Sequence, residues 1–323
     1  MCTAISIRGN RYLFGRTLDL ECSYNEAAVV APRNFKFDFI SEEAAVKHPA
    51  IIGIASVQNG VPLYYDAVNE YGLAAAGLNF PVSTEYRSQI SGKHNIASFE
   101  LIPWVLTKCK TVADAVNLLQ NTNITTDSFS PDLPVTPLHW MISDKERSIT
   151  VEAISNGLQI YENPFGVLTN EPQFSYHTLH LSDFMQLTSR PPKNQLSPGT
   201  VFSHYSRGMG AIGLPGDFSS PSRFVRAFFA KEHSVHMDYD HKEISRFFHI
   251  MDTVSIPSGC VKTDEGKDVR TIYTSCADTD AGVYYYTTYK CRRIHAVRFE
   301  GHDLDSTAFH AVLIDGEEDV AEV

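Results

Sequence analysis

No stretch of this 323-residue chain reaches the roughly 18 consecutive apolar residues that a membrane-spanning helix needs, so a spanning segment is not expected. A basic start followed by an apolar core is missing as well. The opening MCTAISIRGNRYLFG leads straight into folded sequence, and a cytoplasmic location is the expectation. Basic blocks are absent: 27 Lys and Arg are scattered among 38 Asp and Glu, and the net charge of -11 repels phosphate backbones, which argues against a nucleic-acid partner. The six cysteines form no C-x-x-C pair and no regular spacing, against both a disulfide framework and a zinc site; five read as free thiols. No repeat, low-complexity tract or Pro/Gly linker divides the chain. A single domain over 1–323 is therefore expected, with a surface excursion near 185–212 around the stretch RPPKNQLSPGT.

What is present is the makeup of a soluble globular chain, 43% hydrophobic and 20% charged. The first third reads as antiparallel strands: residues 2–8, a turn at Gly9-Asn10, residues 12–19, residues 50–57, and a pair around the turn 69–72. Residues 99–109 and 112–119 read as helices, the second with Val112, Ala113, Val116 and Leu119 on one side. Strands resume at 138–143, 149–153 and 158–162. Two helices follow near 221–231 and 242–253, the latter with Ile244, Phe247, Phe248 and Met251 as a core stripe. Strands at 271–276, 282–288 and 293–299 close the chain. Strand groups separated by helix pairs predict a layered α+β architecture with mainly antiparallel sheets.

Cys2 stands at the head of the first strand, behind an initiator methionine of the kind commonly trimmed before a small residue. Trimming would leave an N-terminal cysteine. An α-amine titrates near about 7.7 to 8.0 and a thiol near about 8.5, so the amine can take the thiol proton and later return it to a leaving group. The plainer alternative is a cysteine that packs against the sheet. A hairpin at Gly9-Asn10 places the end of FGRTLDL beside Cys2, where Arg16 would favour a thiolate and Asp19 would hold the α-amine; an ordinary Arg–Asp ion pair is the alternative. Asn79 and Asn170 end apolar strands, where an amide can act as a neutral oxyanion donor or simply occupy a turn. Arg223 follows Ser220-Pro221-Ser222 at a helix start, where a cation opposes the helix dipole and calls for an anion, either the Cys2 thiolate or Asp217. The cluster His233, His236, Asp238, Asp240 and His241 has only Val235 and Met237 to exclude water and reads as a solvated loop, with no metal expected.

Taken in order, MCT, FGRTLDL, NEYGLAAAGLNFP, LHWMISD, GVLTNEPQF, GLPGDFSSPSRFVR, and YTSCAD with VYYYTTY resemble the choloylglycine hydrolase family of N-terminal-nucleophile hydrolases, along nearly the whole chain. The resemblance implies a four-layer αββα sandwich and, in many members, a homotetramer built with an extended excursion. It places catalytic roles on Cys2, Arg16, Asp19, Asn79, Asn170 and Arg223, and requires no cofactor. Bile salt hydrolases and penicillin V acylases share this machinery. Asn79 in a GLNFP setting looks like the former, since acylases commonly place Tyr there, and conjugated bile salts are the expected substrates. One segment departs, Ser56-Val57-Gln58-Asn59-Gly60 being polar where bile salt hydrolases tend to present an apolar loop to the steroid. Leu18, Tyr24, Tyr65, Phe129 and Leu133 are candidate walls for a sterol skeleton, with core packing as the alternative for each. Other N-acyl amides, penicillin V or acyl-homoserine lactones among them, form a second enzymatic reading, and a non-catalytic sterol-binding protein a third.

Overall fold

Local hairpins and caps set the architecture, and a computed structural model describes them for residues 1–235 and 242–322. The predicted first hairpin is present as β1 (Cys2–Arg8) and β2 (Tyr12–Leu20), with Cys2 opposite Leu18 and Ala4 opposite Arg16. Period-two alternation then puts Cys2, Ala4, Arg16 and Leu18 on one face, and Thr3, Thr17 and Asp19 on the other. An antiparallel run follows in β3 (Glu26–Ala31), β4 (Ile51–Gln58), β5 (Val61–Asn69) and β6 (Ala74–Asn79). The turn between the last two is closed by Gly72 at φ +87° and by Asn69. The Asn69 carbonyl oxygen accepts from the backbone of Tyr71 and Leu73, while its amide donates to Leu106 and Cys109. That one side chain fastens the turn to the end of the first helix.

Strand β7 (His94–Ala97) pairs in parallel with β8 (Thr122–Thr125), and between them lie α1 (Leu101–Lys108) and α2 (Val112–Leu119). Helix α2 begins on a reciprocal capping box, Thr111 bonding the Asp114 backbone and Asp114 reaching back to Thr111. The chain continues through β9 (Leu138–Ser143), β10 (Ser148–Ile154), β11 (Gly157–Glu162), β12 (Val167–Leu168), α3 (Phe174–Leu181), α4 (Ser220–His233) and α5 (Lys242–Asp252). It ends with β13 (Val261–Lys262), β14 (Asp268–Asp278), β15 (Val283–Thr288), β16 (His295–Arg298) and β17 (His310–Leu313).

Apart from the parallel β7–β8 pair, the described strands form two antiparallel sheets, one ordered β12-β1-β2-β14-β15-β16 with β13 also on β14, the other β11-β10-β9-β6-β5-β4-β3-β17. Helices α4 and α5 lie on β1, β2 and β14, while α1 and α2 lie on the second sheet. The order is helices, sheet, sheet, helices: the αββα sandwich expected of N-terminal-nucleophile hydrolases. One core holds Phe14, Leu78, Phe224, Phe247 and Met251; the other, on the outer face of the second sheet, holds Leu101, Trp104 and Trp140. Both faces of the central strands are covered, so β6 and β9 read as continuous apolar runs rather than alternating ones.

Gly15 is where β14 closes on β2: a Cβ there would lie 2.0 Å from the Ser275 carbonyl oxygen. The 185–212 segment, between α3 and α4, leaves Met185, Leu196, Val201, Phe202 and Tyr205 in solvent, Leu196 at 88% and Val201 at 94% exposure. Among the described residues no helix is long and apolar enough to cross a membrane, and no cluster of three or more His, Cys, Asp or Glu could hold a metal. Of the histidine-rich cluster, His236, Asp238, Asp240 and His241 lie outside the described residues.

Candidate active site

The ends of three strands meet at Cys2. Its side chain is buried on the face of β1 toward the second sheet, beside Leu18, and its nitrogen donates to Asn170 Oδ1 at 2.8 Å. Met1 prolongs the β1 ladder by one residue: its amine donates to the Asp19 carbonyl at 2.6 Å, and the Asp19 N–H donates to the Met1 carbonyl at 2.9 Å.

Arg16 projects from β2 between the sheets. It donates Nη1 to the carbonyls of Gly77 (2.5 Å) and Tyr65 (3.0 Å) and Nε to its neighbour Thr17, whereas the buried Nη2 has no hydrogen-bond partner among the described residues. Burial disfavours the charge on Arg16, but Cys2, Tyr273, Asp66 and Asp19 together outweigh it and raise its pKa. Among the described residues no carboxylate bonds the guanidinium directly. The Arg16–Asp19 ion pair considered from sequence is thus replaced by carbonyl anchoring, because residues three apart on a strand point to opposite faces.

Asp19 takes a different place from the one expected. Its carboxylate accepts from Thr17 (3.1 Å) and Thr271 (2.7 Å) on the outer face of the sheet, and the nitrogen of Cys2 is held instead by Asn170. Asn170, two residues beyond the two-residue strand β12, is the junction of the site. Its Oδ1 accepts from Cys2 N and from Arg223 Nη2 (2.7 Å), and its Nδ2 donates to the Asn79 carbonyl at 2.8 Å. Its backbone N–H donates to Ser220 Oγ at 2.8 Å. Asn79 therefore enters the network through its backbone, and its exposed side chain stands at the end of β6.

Arg223 reaches back from the first turn of α4. It bonds the Cys2 carbonyl (2.5 Å), Thr3 Oγ1 (2.6 Å), Asn170 Oδ1 and the Phe218 carbonyl (3.0 Å). Burial lowers its pKa, while Asp19 and Cys2 oppose that shift. Asp217 is not its partner. That carboxylate caps α4 by accepting from Ser219 N (2.9 Å) and Ser222 Oγ (2.6 Å), and these hydrogen bonds bring its pKa down to about 2.

Of the proposed wall residues, Leu18 and Tyr65 adjoin the Cys2–Arg16 pair, the first through cross-strand pairing and the second through its carbonyl. Tyr24 is 44% exposed on the loop entering β3, its carbonyl held by Ser56. Phe129, edge-on to Phe99 at 5.4 Å, and Leu133 belong to the loop that enters β9 opposite Asn79. These loops share the end of the second sheet where β6 terminates.

Sequence reading missed a buried layer behind the site. Asp66 on β5 accepts from Tyr273 (2.6 Å), Ser275 (2.9 Å) and Tyr284 (2.5 Å), and burial raises its pKa against the opposing pull of Arg16 and these donors. Its signal was present, since a carboxylate inside the apolar strand VPLYYDAVN must find donors. His139, Glu152 and His177 are likewise buried behind Asn170.

The chain is similar to several known proteins. The bile salt hydrolase/transferase of Lactiplantibacillus plantarum is 44% identical over 307 residues, covering 95% of each chain. A crystal structure of a mutant conjugated bile acid hydrolase from Clostridium perfringens superimposes with a TM-score of 0.93 at 34% identity, covering 100% of both chains. A penicillin V acylase from Agrobacterium tumefaciens shares the fold at a TM-score of 0.78 and 20% identity, covering 97% of this chain and 91% of that one. The family of linear amide C–N hydrolases described as the choloylglycine hydrolase family matches residues 2–311, and the chain belongs to that family.

Proposed function

We propose that the chain hydrolyses the amide bond between a bile acid and glycine or taurine, with the Cys2 thiol as nucleophile. The observation that carries this reading is the double engagement of Asn170 Oδ1 by Cys2 N and Arg223, which fixes the head of β1 among polar groups. The bile salt and conjugated bile acid hydrolases among the relatives supply the substrate class.

Once Met1 is removed, the Cys2 nitrogen is an α-amine that Asn170 Oδ1 still holds. The amine takes the thiol proton, and the thiolate, within the field of Arg16, attacks the amide carbonyl. The oxyanion of the tetrahedral intermediate accepts from the second Nδ2 hydrogen of Asn170 and from the Asn79 amide. Collapse breaks the C–N bond, the α-ammonium gives its proton to the departing amino acid, and a thioester remains. Water, deprotonated by the same amine, then releases the bile acid and the thiol. An amine in place of that water would form a new amide, in keeping with the transferase in the name of one relative. No step requires a metal or an organic cofactor.

Leu18, Tyr24, Tyr65, Phe129 and Leu133 line the proposed steroid entrance. One domain over 1–323, a cytoplasmic location and a homotetramer assembled through the apolar 185–212 excursion complete the reading. The test is amine release from glycodeoxycholate, taurodeoxycholate and penicillin V, with Cys2→Ala alongside and an N-terminal mass to establish loss of Met1. Cys2-dependent cleavage favouring the bile conjugates is expected. Preference for penicillin V would keep the mechanism and overturn the substrate, and no cleavage by Met1-free protein would overturn both.

A further inference from the structure

Two buried imidazoles from different elements hold the consecutive carbonyls of Thr169 and Asn170. His139, on β9, directs Nε2 at Thr169 O (2.9 Å) and Nδ1 at Glu152 Oε1 (3.1 Å); His177, on α3, directs Nε2 at Asn170 O (2.9 Å). A carbonyl oxygen only accepts, so each Nε2 must carry a hydrogen. For His177, burial holds the ring neutral down to about 4, and the carbonyl selects the tautomer. For His139 the other nitrogen meets a carboxylate oxygen that also takes the Phe174 N–H at 3.0 Å. A carboxylate oxygen thus faces Nδ1 and a carbonyl oxygen faces Nε2, a setting that calls for a hydrogen on each ring nitrogen.

His139 also packs beside the end of β6, which carries Asn79. Its ring stacks flat on Phe80, centroids 4.2 Å apart at 6°, and Phe80 directly follows Asn79. The same imidazole thus braces both strand ends that the Asn170–Asn79 hydrogen bond joins beside Cys2, Asn79 through the stack and Asn170 through Thr169. Among the described residues, Tyr161 feels the charge of Glu152, and His177 feels His139, Arg223 and His180.

We infer that His139 and Glu152 are a positioning pair: Glu152 keeps the Nε2 hydrogen of His139 on the Thr169 carbonyl, and this aims the Asn170 amide at Cys2 during amide hydrolysis. The inference rests on the function proposed above. In Glu152→Gln the amide oxygen can still accept from Phe174 and from Nδ1–H, but a neutral ring then presents a bare Nε2 to Thr169 O. Only a second proton on the ring restores the contact.

The experiment compares kcat and KM of Glu152→Gln and wild type on glycodeoxycholate from about pH 5 to about pH 8. The expected ratio of variant to wild-type kcat is near one at the acid end of that range and about tenfold or more lower at its alkaline end, with KM changed less than about twofold. His139→Gln, which offers Thr169 an N–H that does not titrate, is expected to lack that pH-dependent fall. A ratio that stays constant across the range overturns the inference. Should Glu152→Gln not fold, 15N spectra of histidine-labelled wild type decide it: a hydrogen on His139 Nε2 throughout supports the inference, and its loss in folded enzyme overturns it. Absence of hydrolysis in wild type would instead strike the amide-hydrolase reading, and the spectra would still settle the tautomer.

Discussion

At the scale of single residues, the orientation of the Asn170 amide is fixed by its partners. Two donors converge on Oδ1 and a carbonyl faces Nδ2, so a flipped amide would put like against like three times. Asn170→Asp keeps the shape and both contacts to Oδ1, but sets a carboxylate oxygen against the Asn79 carbonyl and removes the donor offered to the oxyanion. Steady-state kinetics are expected to show kcat reduced about 100-fold or more with KM little changed; a loss under about threefold would remove Asn170 from the oxyanion role. His177 supplies a second expectation. Its folded pKa, about 4, lies below the ordinary 6.5 because burial disfavours its charge, so the unfolded chain binds the proton more readily. The stability it protects is whole above pH 6.5 and is lost as pH falls toward 4, on the order of 3 kcal/mol in all. Urea unfolding at several pH values should give a shallower acid loss for His177→Phe than for wild type, and parallel curves would disprove the assignment. Cys2, Arg16, Asn170 and Arg223 were legible in the sequence because strand ends and a helix start place them. The holder of the Cys2 nitrogen was not, because the choice between Asp19 and Asn170 depends on which face of β2 the carboxylate leaves.

At the scale of elements, β2 links the site to the first sheet: Arg16 leaves one face, Asp19 leaves the other, and Gly15 lets β14 approach. Gly15→Ala would push the Ser275 carbonyl away from a strand that β14 must pair with on both sides of that point. The expected cost is about 1 to 3 kcal/mol in the urea midpoint, the range for overpacking. Activity should fall with it, since β14 carries Thr271 onto Asp19 and Ser275 onto the Arg16 N–H. An unshifted midpoint would mean that the close approach is not maintained in solution. The hairpin of β1 and β2 and helix α2 were readable from a turn pair and from apolar spacing, local signals that tertiary packing and the Thr111–Asp114 capping box reinforce. Strand β3, EAAVVA, and helix α3, FSYHTLHL, were not read from the sequence. The first is buried on both faces and shows no alternation; the second has little amphipathic contrast, and its place is set by packing on α4.

At the scale of the whole molecule, the sandwich buries its apolar side chains in two cores, yet the 185–212 excursion carries Met185, Leu196, Val201, Phe202 and Tyr205 outside both. Its inner ties are local and mostly polar, Asn194 bonding Ser197 and Thr200, His204 bonding Pro192, and Thr188 bonding Gly210. These contacts hold the shape of the excursion without covering its apolar side chains. Exposed apolar side chains in this number on a chain with net charge -11 call for a covering partner, and other copies of the chain are the proposed one. Leu196→Asp combined with Val201→Asp touches neither core nor any group around Cys2, so folding and thiol reactivity should survive. Sedimentation should then shift the particle from four times the 36.0 kDa chain mass toward one chain. Because each charge would be buried without a partner at every interface, the loss of association should be large rather than graded. A wild-type chain that sediments as a monomer, or a double variant that still sediments with four chains, would leave the excursion without this role.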